Sequence, residues 1–307
     1  MGSPFNLVAS ATTCSAQTVT SIGYSIDGST AVVVASGGTM NTPVSAQTGT
    51  HTLQVETWGA QGATCDQDVA VAVTDASSPE NSLVPSDATV VSNIQAVSGW
   101  RAVHDPGTGS HSSSSGSMSM VSSPSMSGNA RRFNTGFSDS GGESYNVEFA
   151  NDPNAENFFY DGWVYLTSST SNMANLEMDM NQVMDNGWTV IYGFQCDGYS
   201  GTWDYTANRG SPTHPNDQWV HSGASCNVQN WTKNAWHHVQ VSYSRNEDGV
   251  VTYNSVWLDG TESQINATVP SAFALRWNPE LLTNFQVDGK GSASNTVYLD
   301  ELTISRW

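Results

Sequence analysis

Segments of strand length, alternating apolar and polar and fenced by glycine, proline, asparagine and serine, recur along almost the whole of this chain, while helical spacing is scarce. This periodicity confines the chain to β-sheet and predicts an all-β protein. In the first quarter it predicts strands over residues 19–26, 31–35, 51–58 and 69–73, with Asp27-Gly28 and Gly37-Gly38 as turns. Further on it predicts strands over 130–137, 145–150, 158–166, 175–184, 189–196, 236–243, 250–258, 282–287 and 297–304. Composition agrees: only 12% of residues are charged, and Ser, Thr, Asn, Gly and aromatic residues abound, a mix suited to short strands and polar turns.

The 307 residues are enough for two domains. Residues 1–74 read as a small sandwich, 75–87 as a linker without strand pattern and with two prolines, and 88–307 as two stacked antiparallel sheets. The Ser- and Gly-rich run 105–117 reads as a mobile surface loop. Four cysteines fall as two separated pairs, Cys14 with Cys65 and Cys196 with Cys226, and none has the close spacing of a zinc site. One disulfide per domain is predicted, and with it an oxidising, extracellular setting. The Cys14–Cys65 bond is expected to staple an edge, and Cys196–Cys226 to hold the loop between them in one shape.

The stretch richest in chemistry is Leu176-Glu177-Met178-Asp179-Met180-Asn181-Gln182. As a strand it turns Leu176, Met178 and Met180 to a core and presents Glu177, Asp179 and Asn181 on the opposite face. The methionines, with Met173 and Met184, read as core filling rather than copper ligands. Nine basic against 28 acidic residues give a formal charge of −19, which disfavours nucleic acid, anionic membranes and anionic polysaccharides and leaves a neutral polysaccharide as the expected partner. No apolar run approaches the roughly 20 residues that span a bilayer. Met1-Gly2-Ser3 reads as a cloning remnant, the protein as secreted or displayed on a bacterial cell surface, and its state as a monomer.

The segments Trp236-His237-His238-Val239-Gln240-Val241-Ser242-Tyr243, Val256-Trp257-Leu258-Asp259-Gly260 and Val297-Tyr298-Leu299-Asp300-Glu301-Leu302 resemble the concanavalin A-like lectin/glucanase superfamily over about 200 residues. That resemblance implies a jelly roll. Within it, Glu177-Met178-Asp179 resembles the catalytic strand of family 16 and family 7 glycoside hydrolases, which implies Glu177 as nucleophile and Asp179 as its helper. The acid/base position falls on Asn181, or on Gln182 if the strand is bulged, and an amide cannot protonate a leaving group. Losing a general acid typically costs on the order of 10²–10⁴ in rate. Asp197, Asp204, Glu143 and His238 are the acids that another strand or loop could supply. The superfamily also implies a structural calcium, with Asp300 in the position of a ligand. Tyr24-Ser25-Ile26-Asp27-Gly28-Ser29 and Gly49-Thr50-His51-Thr52-Leu53-Gln54-Val55 resemble bacterial immunoglobulin-like modules, which are most often spacers or presenters.

Aromatic residues supply the remaining candidates. Tyr199, Trp203 and Tyr205 lie among glycines and carboxylates and read as platforms for sugar rings, and Trp163 or Tyr165 is expected to share the cleft floor with Glu177. Trp231, Trp236 and Trp257 read as core. His237 shares parity with Val239 and reads as interior; His238 shares parity with Gln240 and is expected to line the cleft. Serine esterase, zincin and nucleotide-binding motifs are absent from the sequence. Three functions therefore stand open: a glycan-binding module, a glycoside hydrolase using Glu177, and a surface adhesion protein. A polar face with no ligand is the plainest alternative.

Overall fold

The computed structural model of the chain describes residues 5–44, 46, 49–73, 82–105 and 111–307. The chain divides into two compact units, Met1–Ser82 and Leu83–Trp307. Residues 75–81 of the expected linker lie outside the described residues.

The first unit carries β1 (Phe5–Ser10), β2 (Thr13–Cys14), β3 (Gln17–Ile26), β4 (Val32–Ser36), β5 (Thr39–Val44), β6 (Gly49–Gly59) and β7 (Thr64–Val73). β1 and β5 form one antiparallel pair; β2, β3, β6 and β7 run side by side in a five-stranded sheet with β4 on β3. Val44, Leu53, Val71 and Val73 make its small core, with Phe5, Leu7, Tyr24 and Ile26 packed around it. Asp27 and Gly28 both take positive φ, 50° and 73°, the backbone that Asp-Gly supplies in a tight hairpin. The Cys14–Cys65 disulfide is formed, with Cα atoms 5.6 Å apart, and both cysteines belong to the five-stranded sheet.

The second unit continues with β8 (Thr89–Val91), β9 (Arg101–Asp105), β10 (Ser113–Val121), β11 (Ala130–Ser138), β12 (Gly142–Ala150), β13 (Asn157–Leu166), β14 (Met173–Val183), β15 (Thr189–Tyr192), β16 (Phe194–Asp197), β17 (Thr202–Asn208), β18 (Asp217–Ser225), β19 (Ala235–Arg245), β20 (Val250–Leu258), β21 (Thr261–Pro270), β22 (Ala272–Phe273), β23 (Leu281–Gly289) and β24 (Ala293–Arg306). Two large antiparallel sheets result. One has nine strands, β18-β17-β16-β14-β23-β12-β9 with β15 and β22 attached; the other has eight, β10-β11-β24-β13-β19-β20-β21 with β8 on β24. Aromatic side chains fill the space between them: Phe133 of one sheet stacks on Phe285 of the other with centroids 5.1 Å apart, and Phe194 stacks on Tyr253 at 6.0 Å. Burying rings of this size from both sheets is the dominant favourable term in closing such a sandwich.

Two regions differ from expectation. Residues 106–110 of the serine-rich run lie outside the described residues, but from Ser113 the chain is a strand, β10, not a loop. Small residues are needed there: a Cβ on Gly116 would come within 2.7 Å of Glu143 Oε1 and the Tyr145 hydroxyl. The loop expected between Cys196 and Cys226 is mostly strand as well, because β17 and β18 pair as a hairpin on the flank of the nine-stranded sheet. The Cys196–Cys226 bond, with Cα atoms 5.3 Å apart, brackets that hairpin.

Candidate functional site

On β14 the period of two works as its sequence demands: Leu176, Met178 and Met180 are fully buried in the core between the sheets. Glu177, Asp179 and Asn181 point from the other face, and the register aligns them with polar partners. Gln195 and Gln286 stand on either side of Glu177, while Asn284 stands beside Asp179. On β12, Ser144 lies opposite Gln286 and Asn146 opposite Asn284. The outer face of the nine-stranded sheet is thus a floor of amides, carboxyls and a hydroxyl.

The amide of Gln286 gathers three carboxyls, donating to Glu177 Oε1 at 2.8 Å, Asp105 Oδ2 at 3.1 Å and Asp288 Oδ1 at 3.2 Å. Asp288 and Asp105 meet because Gly142, which pairs with both, has no side chain to part them. Asp179 Oδ1 accepts the Phe194 N–H at 2.8 Å, at the break between β15 and β16, and its Oδ2 accepts from Asn284 at 3.2 Å. Burial, together with the neighbouring carboxyls of Asp288, Asp179 and Asp105, raises the Glu177 carboxyl well above its ordinary range. Burial likewise pushes Asp179 up to about 7, against the Phe194 and Asn284 hydrogen bonds, and Asp288 up to about 7 with help from Asp105. Asp179 and Asp288 flank Glu177 on this face, so the three carboxyls titrate as a group.

Two clefts open on this face. One, of about 540 Å³, is lined by Asp105, Glu177, Gln195, Asp197, Asp217 and Asp288 with Tyr199 and Trp219 at its rim. The other, of about 580 Å³, is lined by Arg101, Ser144, Asn146, Asn181, Asn284 and Glu280 with Trp277 and Arg276. Asp105 and Arg101 share parity on β9, Glu177 and Asn181 on β14, and Asp288 and Asn284 on β23, so the clefts are neighbouring parts of one polar face. At a strand rise of 3.3 Å per residue, Glu177 and Asn181 are about 13 Å apart along it. The first cleft is acidic; the second contains two guanidinium groups.

Several residues singled out from sequence lie elsewhere. Trp163 and His238 belong to the eight-stranded sheet, where their rings stack at 4.2 Å and His238 Nε2 meets Asp161 Oδ1 at 2.7 Å. They share the outward parity of Asp161, but on the sheet opposite Glu177, so neither lines its cleft. Gln182 faces inward: its amide donates to the Asp152 and Ala155 carbonyls, and its oxygen accepts from Arg245 Nε at 2.7 Å and the Tyr192 hydroxyl. Trp203 is fully buried against Phe194 at 5.2 Å, and Tyr205 is half-buried against Tyr253, so neither is a platform. Glu143 points inward toward Ser114 and Tyr145. Tyr199, Asn181, Glu177, Asp179 and Asp197 do lie on the polar face. Trp231 and Trp257 are buried, whereas Trp236 is only half-buried, against Tyr165 on the outer face of the other sheet.

Two groupings bear on a cation. Asp300 is buried and its two oxygens already take six donors, from Gln95 Nε2, Ser125 Oγ, Met126 N, Ser127 N and Oγ, and Glu301 N. Burial works to raise this carboxyl, but the hydroxyl and amide donors outweigh it and hold it below its ordinary value. Amide protons pointing at both oxygens leave no face for calcium. Asp197, Asp204 and His221 offer ligand atoms within 4.8 Å of one another. Within that group Asp204 accepts from Thr202 Oγ1 at 2.6 Å and meets His221 Nδ1 at 2.7 Å.

Sequence reasoning missed Trp219 and Trp277. Of the eleven tryptophans they alone are exposed, at 38% and 40%, and each lines one of the two clefts. The one local sign for Trp277 is its company, Leu275-Arg276-Trp277-Asn278-Pro279, with no alternation to bury it.

No family model matches the sequence, and no curated protein matches it. Solved structures similar to the chain include a carbohydrate-binding module of the β-sandwich superfamily, 9% identical over 98% of this chain and 92% of that one, with a TM-score of 0.38. The cellulose-induced protein Cip1 is 17% identical over 62% of this chain and 85% of its own, at 0.35. A family 11 carbohydrate-binding module from Clostridium thermocellum, in complex with a β-1,3-1,4-mixed-linked tetrasaccharide, is 10% identical over 71% and 94%, at 0.29. With TM-scores below 0.5, none of them assigns a residue or a ligand to this cleft.

Proposed function

We propose that the second unit binds a glycan chain of neutral sugars along the polar face of its nine-stranded sheet, and holds it without cleaving it. The observation that carries this is the placement of the exposed tryptophans. Large rings are normally buried, and nine of the eleven here are at least half so; the two left in water flank a floor of amides and carboxyls. A sugar ring presents an apolar C–H face, which lies on an aromatic ring, and hydroxyls at its edge, which exchange hydrogen bonds with amides and carboxyls. Trp219 and Tyr199 provide the rings at one cleft and Trp277 at the other; Glu177, Asp179, Asn284 and Gln286 provide the polar floor between them.

Binding is favoured over hydrolysis by the state of the carboxyls. A retaining mechanism needs an ionised nucleophile about 5 Å from its acid, and an inverting one needs carboxyls about 6.5–9.5 Å apart. Glu177 instead stands among Asp179, Asp288 and Asp105, and burial together with these neighbours favours its protonated form, which is a poor nucleophile. A protonated carboxyl both donates and accepts, as a hydroxyl-rich ligand requires.

The test is affinity electrophoresis of the full chain in soluble neutral β-glucans, xylans and mannans, with an assay for new reducing ends on the same mixtures. Retardation by at least one polymer, weakened by Trp219→Ala, with no new ends, is the expected result. Retardation by none would refute glycan binding, and new ends that vanish with Glu177→Gln would refute binding without cleavage.

A further inference from the structure

Charge is distributed very unevenly over the polar face. The chain has only nine lysines and arginines against 28 acidic residues, and several of the basic ones are spent on structure. Arg131 donates to the Gln95 and Val97 carbonyls, Arg245 to Gln182 and Pro153, Arg306 to Asp152, and Lys233 to Val228. Arg101 and Arg276 are different. Both are exposed, both line the 580 Å³ cleft, and neither guanidinium forms a hydrogen bond or ion pair among the described residues. Glu280 is the one carboxyl lining that cleft, within electrostatic reach of both Arg101 and Glu148, so this end is mixed in charge where the other is acidic.

Two independent features mark this end as built for a ligand. Asn181 is 7% exposed, yet its Oδ1, in a residue lining the cleft, accepts no hydrogen bond. A buried acceptor left empty is costly, and a ligand hydroxyl would satisfy it. Arg276 has φ of 61°, a left-handed conformation that a residue with a Cβ adopts at a cost, immediately before the exposed Trp277. The backbone there is held in an unfavourable shape that sets a cation and a ring side by side at the cleft.

We infer that the cleft bounded by Arg101, Arg276 and Trp277 is a subsite for a uronic acid, a carboxylate-bearing sugar within an otherwise neutral chain. Trp277 takes the ring face, the guanidinium groups take the carboxylate, and Asn181 accepts a ring hydroxyl. Carboxylate suits this site because its two oxygens match the planar fork of a guanidinium. The opposite cleft, lined by Glu177, Asp197, Asp217 and Asp288, has no lysine or arginine among its lining residues, so an acidic sugar is favoured at the arginine end and fixes the register of the chain. This inference rests on the glycan-binding reading above and departs from the expectation that net charge excludes acidic glycans. Net charge acts at long range and is screened beyond about 8 Å at physiological salt, whereas the two arginines act at contact.

The experiment is calorimetric titration of the full chain, at about 0.15 M salt, with matched oligosaccharides: xylo-oligosaccharides with and without one glucuronic acid branch, and cello-oligosaccharides with and without C6 oxidation. The acidic member of at least one pair is expected to bind about tenfold more tightly than its neutral partner, the order expected of a charge-assisted hydrogen-bonded pair. In Arg101→Gln/Arg276→Gln that ratio is expected to fall to about one, with an unchanged thermal midpoint showing that the exposed substitutions leave the fold intact. Neutral members that bind with a ratio near one in the unaltered chain would overturn this inference alone. A ratio that survives the double substitution would overturn it too, and failure of every member to bind would overturn the glycan-binding reading with it.

Discussion

Replacing Asp288 by asparagine should stabilise the second unit at neutral and alkaline pH and do nothing at low pH. Asp288 has its carboxyl raised from 3.8 to about 7, first by burial and then by Asp105. Below pH 3.8 it is protonated in folded and unfolded chains alike, and no stability is at stake. As pH rises from there to about 7, the unfolded chain ionises while the folded one holds its proton, so folding grows steadily less favourable. At 1.36 kcal/mol per pH unit the full penalty is at most about 4 kcal/mol. Because Glu177 and Asp288 stand side by side and titrate together, roughly half of this, about 2 kcal/mol, is what Asp288→Asn alone should recover. In a unit of this size that raises the thermal midpoint by about 4–8 °C at pH 8. The asparagine oxygen can still accept from Gln286, and its amide can donate to Glu177, so the packing is kept. Thermal denaturation of both proteins from pH 3.5 to 8 measures the difference, which cancels the opposite contributions of carboxyls held low, such as Asp152 and Asp300. A difference that is constant with pH, or that shrinks toward pH 8, would refute the assignment of Asp288 as a buried, proton-holding group.

Trp219→Ala and Trp277→Ala should each weaken glycan binding by about tenfold or more with little change in stability, since both rings are exposed; titration against thermal midpoint separates the two effects. Gln182→Leu should cost about 3 kcal/mol in denaturant unfolding, because it leaves the buried Arg245 Nε and the Tyr192 hydroxyl without their acceptor, while glycan affinity stays as it was. Chelator or added calcium should leave the thermal midpoint of the second unit where it is, whereas Asp300→Ala, which orphans six donors, should lower stability by about 3 kcal/mol or more.

The parity of the strands read from the sequence was legible, and with it the division of β14 into a core side and a polar side. Which sheet a strand joins was not. Asp161, Trp163 and Tyr165 alternate as clearly as Glu177, Asp179 and Asn181, yet they look out from the opposite side of the sandwich. Gln182 shows a related limit: an amide reads as surface until an inward arginine and two free carbonyls are placed around it. Trp203 sits among glycines and carboxylates in sequence, and only the hairpin of β17 and β18 turns it into the core.

By itself, then, the amino-acid order determines many of the strands, their two faces, the cysteine pairs and the presence of a carboxylate row, because these depend on period, composition and near neighbours along the chain. The cleft is a product of tertiary structure. Asp105, Glu177 and Asp288 lie up to 183 residues apart and meet through β9, β12, β14 and β23. Their raised carboxyls, the two tryptophans left in water and the pair of arginines at one end follow from that meeting. Burial and charge proximity are properties of distance in space, which strand pairing across the whole unit sets and no local pattern records.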